Sequence, residues 1–163
     1  DGTEVVMRLF LLIGGPLMIC GCAPLINDIV TDGQNPVTLY SDSGALPYES
    51  SFYKRQQQAY PEIGPLSSTL SADEVFRILG DFVRERGEWQ EVKVRGSERH
   101  LQAVAVTPIF RFRDDVALAV REKSGTVEVH MRSRSRVGKG DLGANAKRIK
   151  SFFSLLRGEL NKR

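Results

Sequence analysis

The sequence has few of the side chains from which metal centres and thiol sites are built. Of its 163 residues, only two are cysteine and two are histidine. No spaced set of carboxylates and histidines suits zinc, so we expect no metal and no cofactor. The chain also lacks a GxSxG nucleophile motif, a phosphate-binding loop and a dinucleotide-binding glycine motif. Nothing in it therefore indicates a familiar reaction chemistry.

The chain has no apolar run long enough to cross a membrane. The run at Leu9–Ile19 has 11 residues, whereas a spanning helix needs roughly 20. Arg8 precedes this run and the letters ICGC at 19–22 end it, which resembles the cleavage site of a bacterial lipoprotein. In that class the cysteine sulfur is acylated and the chain is cut just before the cysteine. Cys22 fits this pattern, whereas Cys20 does not, because an isoleucine precedes it where a small residue is required.

We therefore predict a lipoprotein signal peptide at 1–21 and a lipid anchor on Cys22. A plain signal peptide or a short anchor is the alternative. Acidic and polar residues precede Met7, which is the predicted start of the signal. The mature chain would keep one acylated cysteine, so no disulfide is expected. Two or more acyl chains anchor a protein stably in a membrane. Together with the export signal, this predicts attachment to the periplasmic side of the bacterial envelope. An aspartate directly after the acylated cysteine is a signal that retains lipoproteins in the inner membrane of some bacteria. Ala23 occupies that position here, which favours the outer membrane.

Residues 22–58 are predicted to form a flexible tether, because they contain prolines, glycines and serines with little apolar periodicity. Such a coil would average roughly 30 to 35 Å end to end. Residues 59–163 suffice for a single domain. Residues 71–163 carry 20 Lys/Arg and 13 Asp/Glu, which indicates either an anionic partner or only a solvated basic face. Nucleic acid is not expected, because exported proteins seldom meet it.

Two helices flank the predicted sheet. Ser71 to Glu74 form a capping box, apolar residues then recur every three or four positions, and Gly87 ends the pattern. The first helix is therefore predicted at 72–86. The second begins near Asp141 or Gly143, with Asp141 as a candidate N-cap.

Strand patterns occupy the region between these helices, at 89–95, 99–107, 110–122 and 126–137. Turn signals at Gly96-Ser97 and Ser124-Gly125 join them into two hairpins. A two-residue loop in the second hairpin places Val120 opposite Val129 and Arg121 opposite Glu128, with further apolar and opposite-charge matches along the ribbon. The predicted fold is α+β, a two-layer sandwich of a four-stranded antiparallel sheet with both helices on one face.

The last strand carries arginine at every second position. Strand alternation places Arg132, Arg134 and Arg136 on the face opposite the helices, together with Asp115 and His130. We expect this face to be open, or covered by the tether.

Three segments resemble a protein family that occurs in bacteria and plant organelles and is called domain of unknown function 1499. They read AYPEIGPL (59–66), TPIFRFRDDV (107–116) and RSRSRVGKGDLGANAKRI (132–149), and the last is the most specific. The resemblance covers about residues 59–158 and implies an exported or organellar setting, but no activity. Members often carry a cysteine-bearing segment ahead of the domain. That region reads NPVTLYSDSGALPYESS here, so no role of such a cysteine is transferred.

The candidate site joins the acidic and basic residues of these strands around a small anionic ligand. It comprises Asp114, Asp115, Arg132, Arg134, Arg136, Asp141, Asn145 and Arg148. A structural cluster of ion pairs is the alternative, because a carboxylate beside an arginine is usually its partner. Three arginines against two aspartates would leave positive charge for a carboxylate, a phosphate or a lipid headgroup. Asn145 and Arg148 contribute only if the start of the last helix folds back beside the arginine face.

We predict a lipid-anchored envelope protein whose domain binds an anionic ligand or a protein partner without catalysis. The alternative is a small envelope enzyme that uses Asp114, Asp115 and His130 beside the arginines. A purely structural lipoprotein is a third option. His100 lies near a predicted turn and is expected in solvent. A closed pocket at the Asp/Arg face would favour a ligand or an enzyme, and a flat face would favour protein partners.

Overall fold

The computed structural model describes residues 24–108 and 111–163. The predicted signal peptide and both cysteines lie outside the described residues, as do Ile109 and Phe110. The strands are β1 (Asp28–Val30), β2 (Leu39–Ser41), β3 (Gly44–Leu46), β4 (Leu66–Ser68), β5 (Trp89–Arg95), β6 (His100–Val106), β7 (Arg113–Lys123) and β8 (Thr126–Ser135). The helices are α1 (Ser51–Ala59), α2 (Ala72–Arg86) and α3 (Ala144–Leu160). None of the helices in these two ranges is long and apolar enough to cross a membrane.

The main sheet has six strands, and every strand pair in it is antiparallel. Its order is β1-β8-β7-β6-β5, and β4 also pairs with β8. β1 pairs with residues 132–134 of β8 and β4 with residues 127–129, so the two short strands share one edge of β8. The predicted antiparallel sheet and mixed helix–strand class are confirmed. The prediction of four strands is wrong, because three-residue strands are too short to show an alternating pattern.

The predicted tether is largely folded. Ile26, Ile29 and Val30 are fully buried, and β1 is part of the sheet. On the outer edge of β1, the side-chain amide of Gln56 in α1 donates to the Val30 carbonyl at 2.7 Å and accepts from the Val30 N–H at 3.0 Å. The amide thus replaces a missing neighbouring strand and protects an exposed edge. The prediction of a flexible coil at 22–58 is wrong for residues 26–58, because isolated apolar residues anchor this segment without any periodicity.

The second hairpin has the predicted register. Val120 lies opposite Val129, and Arg121 lies opposite Glu128. Ser124 and Gly125 both have positive φ angles, 51° and 79°, as a tight two-residue hairpin turn requires. The first predicted helix is confirmed as α2.

The capping of α2 follows the sequence signal. Ser71 Oγ accepts a hydrogen bond from the Glu74 N–H at 3.3 Å, and Gly87 ends the helix in the left-handed conformation. These local contacts explain why both ends of α2 agree with the prediction.

Both faces of the sheet are covered. On one face α2 and α3 enclose the main core with Leu118, Val129 and Met131. On the other face Val37 and Leu39 from the N-terminal segment pack against alanines of β7. The arginine face is therefore covered by the N-terminal segment, which is one of the two predicted possibilities.

We expect Gly33→Ala to destabilise the protein by about 1–3 kcal/mol, because a methyl group there would overlap the ring of Tyr53 in α1. Urea unfolding followed by fluorescence of Trp89, the single tryptophan, measures the change. Gly64→Ala is the matched control, since nothing lies within 4 Å of the added methyl. Equal stability of the two variants would show that residues around Gly33 do not pack on α1.

Candidate functional site

Arg132 is a buried ion-pair partner of Asp28. Its Nε and Nη2 atoms donate to the two Asp28 carboxylate oxygens at 3.0 and 2.7 Å. Nη2 also donates to the Pro47 carbonyl at 2.8 Å, and Nη1 donates to the carbonyls of Leu46 at 3.2 Å and Val37 at 3.5 Å. All five N–H donors of the guanidinium are thus used. Arg132 therefore holds three chain segments together and has no donor left for a ligand.

The two partners of this pair are almost completely removed from water. Burial raises the pKa of the Asp28 carboxyl, and the hydrogen bonds from Arg132 offset part of that rise. Arg134 lies at the edge of the same cluster, with Nε 4.0 Å from Asp28 Oδ2. Its Nη1 atom is buried without a hydrogen-bond partner among residues 24–108 and 111–163. Arg134 is thus held much less firmly than Arg132.

Arg136 pairs with Asp115. Its Nε and Nη2 atoms lie 3.0 and 2.7 Å from Asp115 Oδ1, which raises the pKa of the guanidinium. Although Asp115 lies directly opposite Arg134 in the register, it takes these bonds from the diagonal neighbour. The Arg136 side chain remains 42% exposed, so this pair lies at the boundary between the cluster and solvent.

Asp114 belongs to a different cluster on the helix face of the sheet. Arg148 of α3 donates from Nη2 to Asp114 at 2.6 Å and from Nη1 to Ser133 Oγ at 2.8 Å. Asn145, which is fully buried, accepts from the Ser133 hydroxyl at 2.7 Å and donates to Ser135 Oγ at 3.0 Å. These bonds fasten α3 to β7 and β8.

The prediction of one site shared by all eight residues is therefore wrong. Successive residues of a strand point to opposite faces, so Asp114 and Asp115 cannot serve the same cluster. Arg148 and Asn145 lie on the helix face, and the sheet separates them from the arginine face. For the Asp114–Arg148 group, the contacts support the alternative of a structural cluster.

Asp141 caps the start of α3, although not from the predicted position. Gly143 occupies the N-cap position, and the Asp141 carboxylate accepts from the backbone N–H groups of Gly143 and Asn145, both at 2.8 Å. The roles of Ser133 and Ser135 were not predicted. The arginine–serine alternation itself was the available signal, because every second residue of this strand faces the helix that follows it.

Both histidines are buried. His100 is 4% exposed and its Nε2 atom lies 2.8 Å from the Thr38 carbonyl oxygen, so the expectation of a solvent-exposed side chain is wrong. The N-terminal segment covers it. His130 lies 3.1 Å from a Glu128 carboxylate oxygen. Asp115 lies opposite Arg134, which is four residues, about 13 Å, from His130 along β8. The groups assigned to the alternative enzyme therefore do not converge.

A polar cleft of about 310 Å³ lies between the β2–β3 hairpin and the β5–β6 strands. Arg136 and Asp115 are in its wall, and Lys93 of β5 contributes a second cation. The remaining lining residues are Tyr40, Ser41, Asp42, Leu46, Glu91, Gln102, Ala103 and Val104. This cleft is where the arginine face meets solvent.

Gln102 links the hairpin wall of the polar cleft to the sheet. Gln102 donates from Nε2 to the Tyr40 carbonyl at 2.7 Å, and its Oε1 atom accepts from the Tyr40 N–H at 2.8 Å. The Arg95 guanidinium also lies over the Tyr40 ring, 4.2 Å from its centroid. The cleft is therefore preformed and does not depend on a mobile loop.

A larger open cleft, about 520 Å³, lies between β4 and the end of α3. Arg157 and Arg163 line it with serine and threonine hydroxyls, all of them half-buried or exposed surface groups. No residue of the predicted site contributes to it. Within the described ranges, no group of three or more His, Cys, Asp or Glu side chains is arranged to hold a metal ion.

A comparison with known protein families identifies the family of this chain. A family model described as "Protein of unknown function (DUF1499)" matches residues 28–156. This confirms the resemblance seen in the sequence and extends it to β1, so Asp28 and Arg132 both lie within the matched region. No curated protein matches the chain.

We expect Arg132→Met to lower the free energy of unfolding by about 3–5 kcal/mol, because it leaves the Asp28 carboxylate buried without its partner. Arg134→Met is the matched control and should cost less than about 1 kcal/mol, because its contact with Asp28 is long and part-exposed. Chemical unfolding at neutral pH measures both. Similar losses would contradict the assignment of Arg132 as the central residue.

We expect stability to fall in mild acid. Burial lowers the pKa of His100 and of His130 below 6.5, the ordinary value. Arg121 lowers the pKa of His130 further, while Glu128 and Asp32 raise it. The unfolded chain then binds protons that the folded chain excludes, so the stability present above about pH 6.5 is lost as the pH falls through the folded values.

Unfolding free energies at about pH 7.5 and about pH 5.5 test this loss. A variant with both His100→Gln and His130→Gln should lose less stability across this interval than the wild-type chain. An unchanged pH dependence in the variant would show that other groups cause the effect.

Proposed function

The chain belongs to the DUF1499 family, and we propose that it is a lipid-anchored envelope protein that binds a small polar ligand in the polar cleft without catalysis. The ligand carries an anionic group beside hydrogen-bond donors. One observation carries the assignment: two cations, Lys93 and Arg136, share the wall of a preformed cleft with carboxylates.

The charges of the cleft define the ligand. The bonds from Arg136 to Asp115 use Nε and Nη2, so the Nη1 donors remain for an anionic group. Asp42 and Glu91 face the same space and accept hydrogen bonds from donors of the ligand. Glu91 is itself held by an ion pair with Arg113, which positions its carboxylate.

The proposal of an anchor rests on the sequence around Cys22. Ile26, four residues beyond Cys22, is fully buried, so an acyl group on Cys22 would lie close to the folded domain. The periplasmic side of the envelope, with the outer membrane favoured, follows from the same sequence features.

The positions of the candidate catalytic groups favour ligand binding without catalysis. His130 is buried beside Glu128, and Asp114 is engaged by Arg148 on the other face of the sheet. General acid–base catalysis needs such groups within hydrogen-bond reach of one substrate atom. A preformed cleft, as opposed to a flat face, supports a small ligand over a protein partner.

Native mass spectrometry of the full-length chain, purified in detergent from an envelope fraction, tests the binding. We expect a small molecule to co-purify with the wild-type chain. Because a hydrogen bond to a charged group contributes about 1.5–3 kcal/mol, Lys93→Gln should weaken retention about tenfold or more. A chain beginning at residue 59 is unsuitable, because it lacks Asp28.

Lys123→Gln is the matched control, since this exposed lysine lies at the end of β7, outside the cleft. Loss of the ligand in the Lys93 variant alone supports the site. A wild-type chain without any bound molecule, or equal retention in both variants, contradicts it. The mass of an acyl group on Cys22, absent from Cys22→Ala, tests the anchor separately.

A further inference from the structure

Three large apolar side chains are exposed at one end of the domain. Leu142 is 92% exposed, Leu25 is 71% exposed and Val137 is 69% exposed. Single exposed apolar residues are ordinary, but a contiguous group marks a surface that contacts a membrane or another protein.

These residues come from different parts of the chain and meet at the same place. Val137 and Leu142 line one shallow cavity of about 130 Å³, together with Gly140. A methyl group added to Gly140 would lie 3.2 Å from Leu25 Cδ2, and the Asp141 N–H donates to the Ile26 carbonyl at 3.3 Å. We call Leu25, Val137 and Leu142 the apolar end patch.

The loop that carries the patch is held in a fixed shape. Leu142 has a φ angle of 52°, in the left-handed region that leucine seldom adopts. The Asp141 carboxylate accepts from the N–H groups of Gly143 and Asn145, which locks the turn around Leu142. The turn presents the leucine side chain to solvent although a buried position would remove more apolar surface from water.

The position of the N-terminal segment identifies what covers the patch. Leu25 is three residues beyond Cys22, so at full extension the two Cα atoms are about 11 Å apart at most. A lipid on Cys22 therefore brings the membrane surface next to the patch. The predicted tether of 22–58 would have lifted the domain away, but folding from Ile26 onward leaves only residues 23–25 as a link.

The charges near the patch suit a bilayer surface. Lys139 is exposed and lies in the same loop, between Val137 and Leu142, and Arg111 is exposed close to Phe112, which lines the same cavity. Asp141, the acid of this loop, is occupied by its two backbone hydrogen bonds. Exposed cations beside apolar side chains bind the headgroup region of membranes that contain anionic lipid.

We propose that the apolar end patch inserts into the headgroup and upper acyl region of the membrane that carries the Cys22 lipid, and that this contact fixes the orientation of the domain. The proposal rests on the lipid anchor of the proposed function. It places the opposite end of the sheet, around Val94 near the end of β5, away from the bilayer.

Spin labelling of the full-length acylated chain tests the insertion. Leu142→Cys provides a labelling site, and Val94→Cys, at an exposed position on β5, is the matched control. Both chains are placed in vesicles of phosphatidylethanolamine and phosphatidylglycerol. We expect the label at 142 to collide more with oxygen, which is enriched in lipid, and less with a water-soluble nickel chelate. The label at 94 should show the reverse.

A second variant tests the patch as a unit. With the label on Val137→Cys, adding Leu142→Asp should remove much of the oxygen preference, because a charge resists burial in lipid. Both positions are exposed, so the fold is retained.

The outcomes separate the two proposals. An acyl mass on Cys22 together with a label at 142 that is open to the nickel chelate overturns the insertion and leaves the anchor intact. The absence of an acyl mass overturns the anchor and the insertion that rests on it. An acyl mass with the expected collision pattern at 142 and 94 supports both.

Discussion

The buried ion pair between Arg132 and Asp28 determines how this molecule is assembled. Removing two charges from water is expensive, and the pair is tolerated because every donor of the guanidinium has an acceptor. Those acceptors are Asp28 in β1, Val37 ahead of β2, and Leu46 and Pro47 at the end of β3. One side chain of the last strand thus fixes the first strand and one wall of the polar cleft. It acts together with Gln102, which holds the same hairpin at Tyr40.

The arginine–serine alternation serves both faces of β8. On one side Arg132 holds the N-terminal segment and Arg136 pairs with Asp115 in the cleft wall, while on the other side Ser133 and Ser135 hold α3. A single strand therefore connects the two layers of the molecule through polar contacts. This explains why so many charges and hydroxyls occur in a strand whose burial is nearly complete.

The sequence was informative wherever a local rule governs the structure. The capping residues of α2 and the alternation in β7 and β8 predicted boundaries and register, because each depends on residues close in the chain. It was uninformative for β1, β4 and α1, whose places depend on distant partners such as Gln56 with Val30. The error over Asp114 and Asp115 was avoidable, since adjacent strand residues face opposite ways. His100 was wrongly predicted to be exposed, because the residues that bury it, such as Thr38, lie about 60 positions earlier in the chain.

The pairing of β1 with β8 has a consequence for the order of folding. The two partners of the central ion pair are 104 positions apart, so their contact requires a large loop to close. During synthesis, β1 cannot pair with β8 until residues 132–134 have been made. The pairs from β5 to β8 join strands that are consecutive in the chain and need only short loops to close, so we expect them to form before β1 pairs with β8.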